Sequence, residues 1–561
     1  MQIEMETKKL SDIELENKEF NNSDELYRYL VNRFKEEDIS DCLPLNRICQ
    51  VLIKHSNTLN IGIEREYYCK DFMAEYSYFY SKLFSRVNPN CSRIHFWKGE
   101  EINEENYLGY CVLRPLNLRS KGKRLGKVGR TVIAYPESNQ EYLLLRRAEY
   151  EANIKGNRYS IGLNVAPFIQ QDTQVGTCAQ SAIWMAARYL HGRFRFREYF
   201  MDEINDMATR YLAAGPILPS SGLIEEQMIE CIRGMGYIPL FYPIEENDYP
   251  DGIIYRYMES GIPVILIIKY EDEETKEYIR HAVVVVGHNF NPKQHTKISQ
   301  TNEILEKDFK YYTPLSWINY FLIHDDARGP YLPMWIRRED IDILATSEEI
   351  LKTRVPFFVY PDYKDKEKKE IRTKLESILI PLPKEVALRG ETAEVKAYDL
   401  ITDSEIVSKE IEKLISSNYP EIENNSALQK FIKARNDKNL VLRTYLRPSN
   451  EYKVYLEKNG PIEFLREKYR SLHLPKYIWI IEISLPELFA NETEVNRMML
   501  GEVIFDATDS EFSEAYLIIH LPCICIMRDA ITGKRFIINA LEQRELKEDV
   551  VYGHRINSEP F

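Results

Sequence analysis

Cys178, His281 and Asp325 have the residue types and sequence settings of a nucleophile, its base and an acid that orients the base. A cysteine attacks carbonyl carbon well when its surroundings favour the thiolate and hold a base beside it. Cys178 directly follows Gln174-Val-Gly-Thr177 and heads the helical pattern CAQSAIWMAARYL. Its sulfur is thereby expected at the positive end of a helix dipole, which favours a thiolate. Gly176 allows a sharp turn there, and the first-turn amides, that of Cys178 included, are expected to form part of an oxyanion hole. His281 heads the apolar run HAVVVVG, so it is expected exposed at a strand end, facing a cleft. Asp325 and Asp326 end the next strand pattern, FLIHDD. If the two strands are antiparallel neighbours, an acid there reaches the imidazole, fixes its tautomer and stabilises the imidazolium. On these grounds both aspartates are candidates, and His288 and His324 are alternative bases.

The elements that must position these residues follow from apolar spacing. A helix is expected over 178–190, ended by Gly192, and a second over 223–233, with Ser220 or Ser221 as N-cap and Gly234 or Gly236 as its end. YIPLFYPI, PVILIIKY, HAVVVVGH and YFLIHDD are rich in Val and Ile and read as strands. Helix first and strands afterwards, without a βαβ rhythm, indicates an α+β domain. Upstream, residues 26–84 carry mainly helical spacing, followed by the strand patterns RIHFW, YLGYCVLRPL, RTVIAYP and YLLLRR. Downstream, a Lys- and Glu-rich helical stretch opens the region after 346, and YIWIIEISL and AYLIIHLPCICIM read as strands with FDATDSE as a polar turn. The expected division is a mobile tail over 1–20, a mixed α+β domain over 21–155, a catalytic domain over 156–345 and an α+β domain over 346–561.

The 561 residues suit several domains, and 44% hydrophobic with 29% charged residues is globular composition. A formal net charge of -13 argues against a general nucleic-acid surface, and the basic run RSKGKRLGKVGR at 119–130 reads as a solvated loop. The nine cysteines are scattered without a C-x-x-C pair, so neither a zinc ribbon nor a disulfide framework is indicated and a reducing compartment fits. Cys523 and Cys525 are expected on one face of a strand, as packing rather than metal ligands. The first residues lack the apolar segment of a signal peptide, and no apolar run approaches the ~20 residues of a membrane span. A cytoplasmic protein is therefore expected, without membrane or nucleic-acid partners. High Lys, Glu, Ile, Asn and Tyr usage hints at a bacterial source with an AT-rich genome.

The order Cys178, then His281 heading an apolar strand, then Asp325 with Ala-x-Gly after it resembles the papain-fold peptidases that cut bacteriocin leaders after a double glycine, and their stand-alone relatives. SSGLIEEQMIECIRGMGY resembles that family's second helix, HAVVVVGH its histidine strand, and IHDDARG its I-x-D-P-A-x-G. The resemblance covers about 180 residues and implies that Asp325, not Asp326, is the orienting acid. It also implies a side-chain oxyanion donor from a glutamine shortly before the cysteine, for which QQDTQVGTC offers Gln170, Gln171 and Gln174. Gln171 and Gln174 are the two candidates, Gln171 lying one residue further from Cys178 than the family's spacing. Asp326 stands where the family has proline, and about 28 residues around 291–314 are inserted between the histidine and aspartate strands.

These readings lead to a papain-like cysteine peptidase or isopeptidase acting on a protein or peptide, with no cofactor and no metal. The same triad also serves acyl transfer of the transglutaminase or transpeptidase kind. A latent papain-fold binding protein is a third reading, since the flanking regions suit a regulatory protein partner or autoinhibition.

Overall fold

The computed structural model describes residues 14–547 and 552–553, apart from 36–38, 118, 121–122, 137–140, 155–156, 195, 212–216, 246–249, 272–275, 292–310, 347–348, 362–369, 460–462, 491–497, 511–513, 530–531. The inserted segment expected around 291–314 thus falls largely outside the described residues. The chain mixes helices with antiparallel sheets. Among the described residues no helix is long and apolar enough to cross a membrane.

Upstream lies a five-stranded sheet in the spatial order Glu14–Glu19, Thr58–Tyr67, Cys91–Trp97, Tyr107–Leu113, Val128–Ile133, packed with the helices Ser23–Arg33 and Leu43–His55. Two expectations change here. Residues 14–19 pair with Thr58–Tyr67 instead of trailing as a tail. Thr58–Tyr67 is itself a strand inside the region read as helical, because Leu59, Ile61 and Ile63 alternate into the core. The basic run is no free loop over its second half, since Lys127 is buried with its Nζ 2.7 Å from Asn117 Oδ1.

The central sheet runs Tyr237–Pro243, Glu370–Pro383, Val264–Glu271, Tyr278–Asn289, Tyr320–Asp325, Gly329–Thr346, Glu349–Pro361. Glu349–Pro361 also pairs with Glu370–Pro383, which closes a ring of strands. Where the Lys- and Glu-rich stretch after 346 is described, Glu349–Pro361 and Glu370–Pro383 are strands, not helix: in EIRTKLESILIPLP the charged residues point outward while Thr373, Leu375 and Ser377 turn in, and 362–369 lie outside the described residues. The sheet crosses both expected boundaries, since Glu141–Leu143 joins Tyr278–Asn289 and Glu370–Pro383 inserts between Tyr237–Pro243 and Val264–Glu271.

A six-stranded antiparallel sheet, Val441–Pro448 through Arg535–Asn539, dominates the downstream region. AYLIIHLPCICIM is two of its strands, Tyr516–Leu521 and Ile524–Arg528, joined by a tight turn in which Cys523 takes φ 66. One continuous buried core includes Leu52, Trp184 and Trp479, so it crosses all three regions. Downstream, Arg443 joins Glu482 at 2.8 Å and also grips Glu259, which accepts from His288 at 2.8 Å.

Candidate active site

The helix bearing Cys178 is Cys178–Phe194, and it runs through Gly192 because Ala, Ile, Trp and Met bury nearly all of its first thirteen residues. Trp184 Nε1 donates to Asp71 Oδ1 at 3.1 Å and Arg188 pairs with the same carboxylate at 2.7 Å. The loop before it is organised by Asp172, a buried residue that sequence reasoning passed over. Its Oδ1 accepts the backbone N–H groups of Gln174, Val175 and Gly176 at 2.9, 2.9 and 2.8 Å, while Tyr80 OH donates to Oδ2 at 2.7 Å. Three amides on one oxygen hold a turn that lets Thr173 sit at φ 64. Asp172→Ala leaves these amides without an acceptor. It is expected to lower unfolding free energy by about 3 kcal/mol in urea titration, at 1–3 kcal/mol per buried unsatisfied group.

The glutamines separate in the structure. Gln170 Oε1 accepts from Val128 N at 2.9 Å, and Gln174 Nε2 donates to its neighbour Thr173 O at 2.8 Å. Gln171 is half-buried, and among the described residues its side-chain amide makes no hydrogen bond. Its carbonyl lies so close to Gly126 that a Cβ there would come within 1.8 Å of the oxygen. Gln180, a further glutamine, is spent on Asn205 Oδ1 at 3.1 Å and Ser220 Oγ at 2.8 Å. Ser220 therefore does not cap the second helix, Glu225–Gly234, whose first turn is closed by the Gln227 side chain accepting from Ile224 N at 3.1 Å.

His281 and Asp325 lie on neighbouring antiparallel strands, with Val284 opposite His324. Alternation then puts His281 and Asp325 on one face and His324 on the other. His281 is the fourth residue of its strand, not an exposed first one, because Tyr278–Arg280 continue the pairing with Lys269–Glu271. It is 5% exposed, and half-buried Cys178 is one of the neighbours that raise its pKa. His281 Nε2 donates to Asp325 Oδ1 at 2.9 Å and lies 3.4 Å from Asp326 Oδ1. Asp325 is fully buried, and the same Oδ1 accepts Ala327 N–H at 2.9 Å and Arg328 N–H at 3.1 Å. Its Oδ2 takes Arg328 Nη1 at 3.1 Å. The alternative bases are engaged elsewhere or dry. His288 is held by Glu259 and by the Asn289 carbonyl at 2.7 Å. His324 is wholly buried against Phe168 and Tyr331, and burial pushes it down to about 3.

Burial works against an imidazolium at His281, but the Asp325 charge, the hydrogen bond to Asp325, the neighbouring Cys178 thiol and the Asp326 charge outweigh it and hold its pKa well above the usual histidine range. Burial opposes ionisation of Asp325 too, yet the His281 and Arg328 charges keep it below the usual carboxylate range. Asp326 goes the other way. Burial, reinforced by the Asp325 charge, pushes it up to about 7 against the pull of His281 and Arg328. A carboxyl raised from 3.8 to about 7 by folding releases its proton later in the native state. Its stability contribution is intact below about pH 4 and is lost as pH rises toward 7. Asp326→Asn is thus expected to match wild type at pH 4 and to exceed it increasingly up to pH 7, by at most about 4 kcal/mol, in denaturant unfolding across that range.

The chain matches no family model and no curated protein.

Proposed function

We propose that this chain is a papain-type cysteine hydrolase that cleaves a peptide or isopeptide bond. The observation that carries the reading is His281 bound to Asp325 Oδ1 at 2.9 Å, with Cys178 at a helix start among the neighbours that raise the His281 pKa. Nothing but a nucleophile, a base and an orienting acid is required for acyl transfer to water. The sequence resemblance to leader-processing peptidases supports the same reading.

In the reaction, the Cys178 sulfur attacks the carbonyl carbon and the carbonyl π electrons move to oxygen. The Cys178 amide and a glutamine side chain donate to that oxyanion. Gln174 donates its amide to Thr173 O, whereas that of Gln171 has no hydrogen bond among the described residues, so Gln171 suits this better. As the intermediate collapses, His281 gives its proton to the leaving amine and the thioester remains. His281 then takes a proton from water, the hydroxide attacks the thioester, and the acid leaves with the thiol regenerated. Asp325, fixed by two backbone amides and Arg328, keeps Nε2 protonated, which leaves Nδ1 for Cys178.

Iodoacetamide at neutral pH, read by intact mass, tests this. Fast labelling at one site is expected, lost in Cys178→Ala and strongly slowed in His281→Ala. Slow labelling spread over several cysteines would sink the reading and favour a latent binding protein. Active protein supplied with a peptide substrate and a primary amine would reveal acyl transfer as an amide conjugate.

A further inference from the structure

Asp326 has no part in the chemistry above, and its setting is costly. Neither carboxylate oxygen has a hydrogen-bond partner, and the residue is fully buried. A buried carboxylate without a hydrogen bond, with only the His281 ring 3.4 Å away, is strongly unfavourable, and such groups are normally paired more fully or bound to metal. Its Oδ1 faces the His281 nitrogen that Asp325 also faces, and ligand atoms of His281, Asp325 and Asp326 all lie within 4.8 Å of one another. We propose that these three side chains form a site for one divalent cation of borderline softness, Zn²⁺ foremost, and that its occupancy shuts off the Cys178–His281 pair. The second half of this proposal rests on the hydrolase reading; the first half does not.

The spacing suits such an ion. Zinc bonds of about 2.0–2.1 Å to nitrogen and oxygen in tetrahedral geometry put neighbouring ligand atoms about 3.4 Å apart. Nε2 lies 2.9 Å from Asp325 Oδ1 and 3.4 Å from Asp326 Oδ1, so a few tenths of an ångström of movement would admit the ion. An imidazole with two carboxylates selects zinc over calcium or magnesium, which prefer oxygen alone. Arg328 stays on Asp325 Oδ2 and the Ala327 and Arg328 amides on Oδ1, so the outer hydrogen bonds that orient a ligand carboxylate are in place.

Binding is a proton exchange. The cation takes the Nε2 lone pair, the proton on Nε2 leaves to solvent, and any proton on Asp326 leaves with it. Nδ1 then carries the only ring proton, so a neutral, metal-bound His281 has no lone pair with which to accept one from Cys178 or from water. Zinc here is an inhibitor and not a cofactor.

The test uses the full chain, stripped of metal, in competition with a chromophoric zinc chelator, alongside iodoacetamide labelling of Cys178 with and without zinc. One zinc per chain is expected, bound at least tenfold more weakly by Asp326→Asn, bound again by Asp326→Cys, and retained by Cys178→Ala. Zinc should slow Cys178 labelling in wild type far more than in Asp326→Asn. Absence of stoichiometric binding, unchanged affinity in Asp326→Asn, or loss of zinc in Cys178→Ala would each overturn the site. Should Asp326→Asn fail to fold, the affinity of Asp326→Cys against wild type decides. Metal-free labelling judges the hydrolase reading separately: slow labelling with tight, Asp326-dependent zinc binding would leave a metal site without the hydrolase.

Discussion

Asp325→Asn is expected to slow alkylation of Cys178 at neutral pH by roughly 10–50-fold, because an unactivated thiol keeps only a few per cent thiolate there. Two effects add. The asparagine carries no charge, so the largest influence opposing burial of His281 is gone and its pKa falls. The amide can also present NH₂ to the ring, which turns the lone pair toward Asp325's place and the N–H toward Cys178. The pH profile of alkylation should therefore move as well as fall, and proton NMR of the His281 ring should show its titration shifted to lower pH. Asp326→Asn provides the contrast, since Asp326 has no hydrogen bond to the ring and stands 3.4 Å away. A rate within threefold of wild type for Asp325→Asn would remove Asp325 from the triad and point to Asp326.

Residues 156–345 expressed alone are expected not to fold, giving a circular dichroism spectrum without cooperative melting and a Cys178 no more reactive than a free thiol. Autoinhibition by the flanking regions would make such a fragment react faster than the full chain. The contacts argue against that outcome. The fragment lacks Glu370–Pro383, which lies between two strands of the sheet that carries His281. It lacks Asp71 under the Cys178 helix, Tyr80 on Asp172, and Arg114, whose Nη2 donates to the Gln170 carbonyl at 2.6 Å. It lacks Arg47, whose Nε donates to the Pro330 carbonyl at 3.1 Å just beyond Asp325. Each leaves a buried polar group unsatisfied, at about 1–3 kcal/mol apiece against the 5–15 kcal/mol of a typical domain. A fragment that melts cooperatively and labels at the full-chain rate would show that these contacts are dispensable.

The site was legible in the sequence where local pattern suffices. The helix start at Cys178 and the four strands around His281 and Asp325 are written in apolar periodicity, and strand neighbourhood follows once antiparallel pairing is assumed. Legibility failed where long-range pairing decides. EIRTKLESILIPLP has enough Lys and Glu to read as helix, and only its partners on both sides make it a strand. The burial of His281 needed three further residues of pairing that a polar sequence, Tyr278-Ile-Arg280, does not advertise. Asp172 could have been found, since an aspartate opening Asp-Thr-Gln-Val-Gly is a capping signal for the amides that follow it. The orphaned carboxylate of Asp326 could not, because nothing in a sequence shows which polar groups end without partners.

The late insertion of Glu370–Pro383 also sets a timetable for synthesis. The sheet bearing His281 cannot be completed until residue 383 has left the ribosome, and the Arg47 clamp joins residues 283 positions apart. Contacts this distant in sequence form slowly and last. On the hydrolase reading, Cys178 is thus made long before His281 is in place, so the thiol stays an ordinary one while the nascent chain is most exposed.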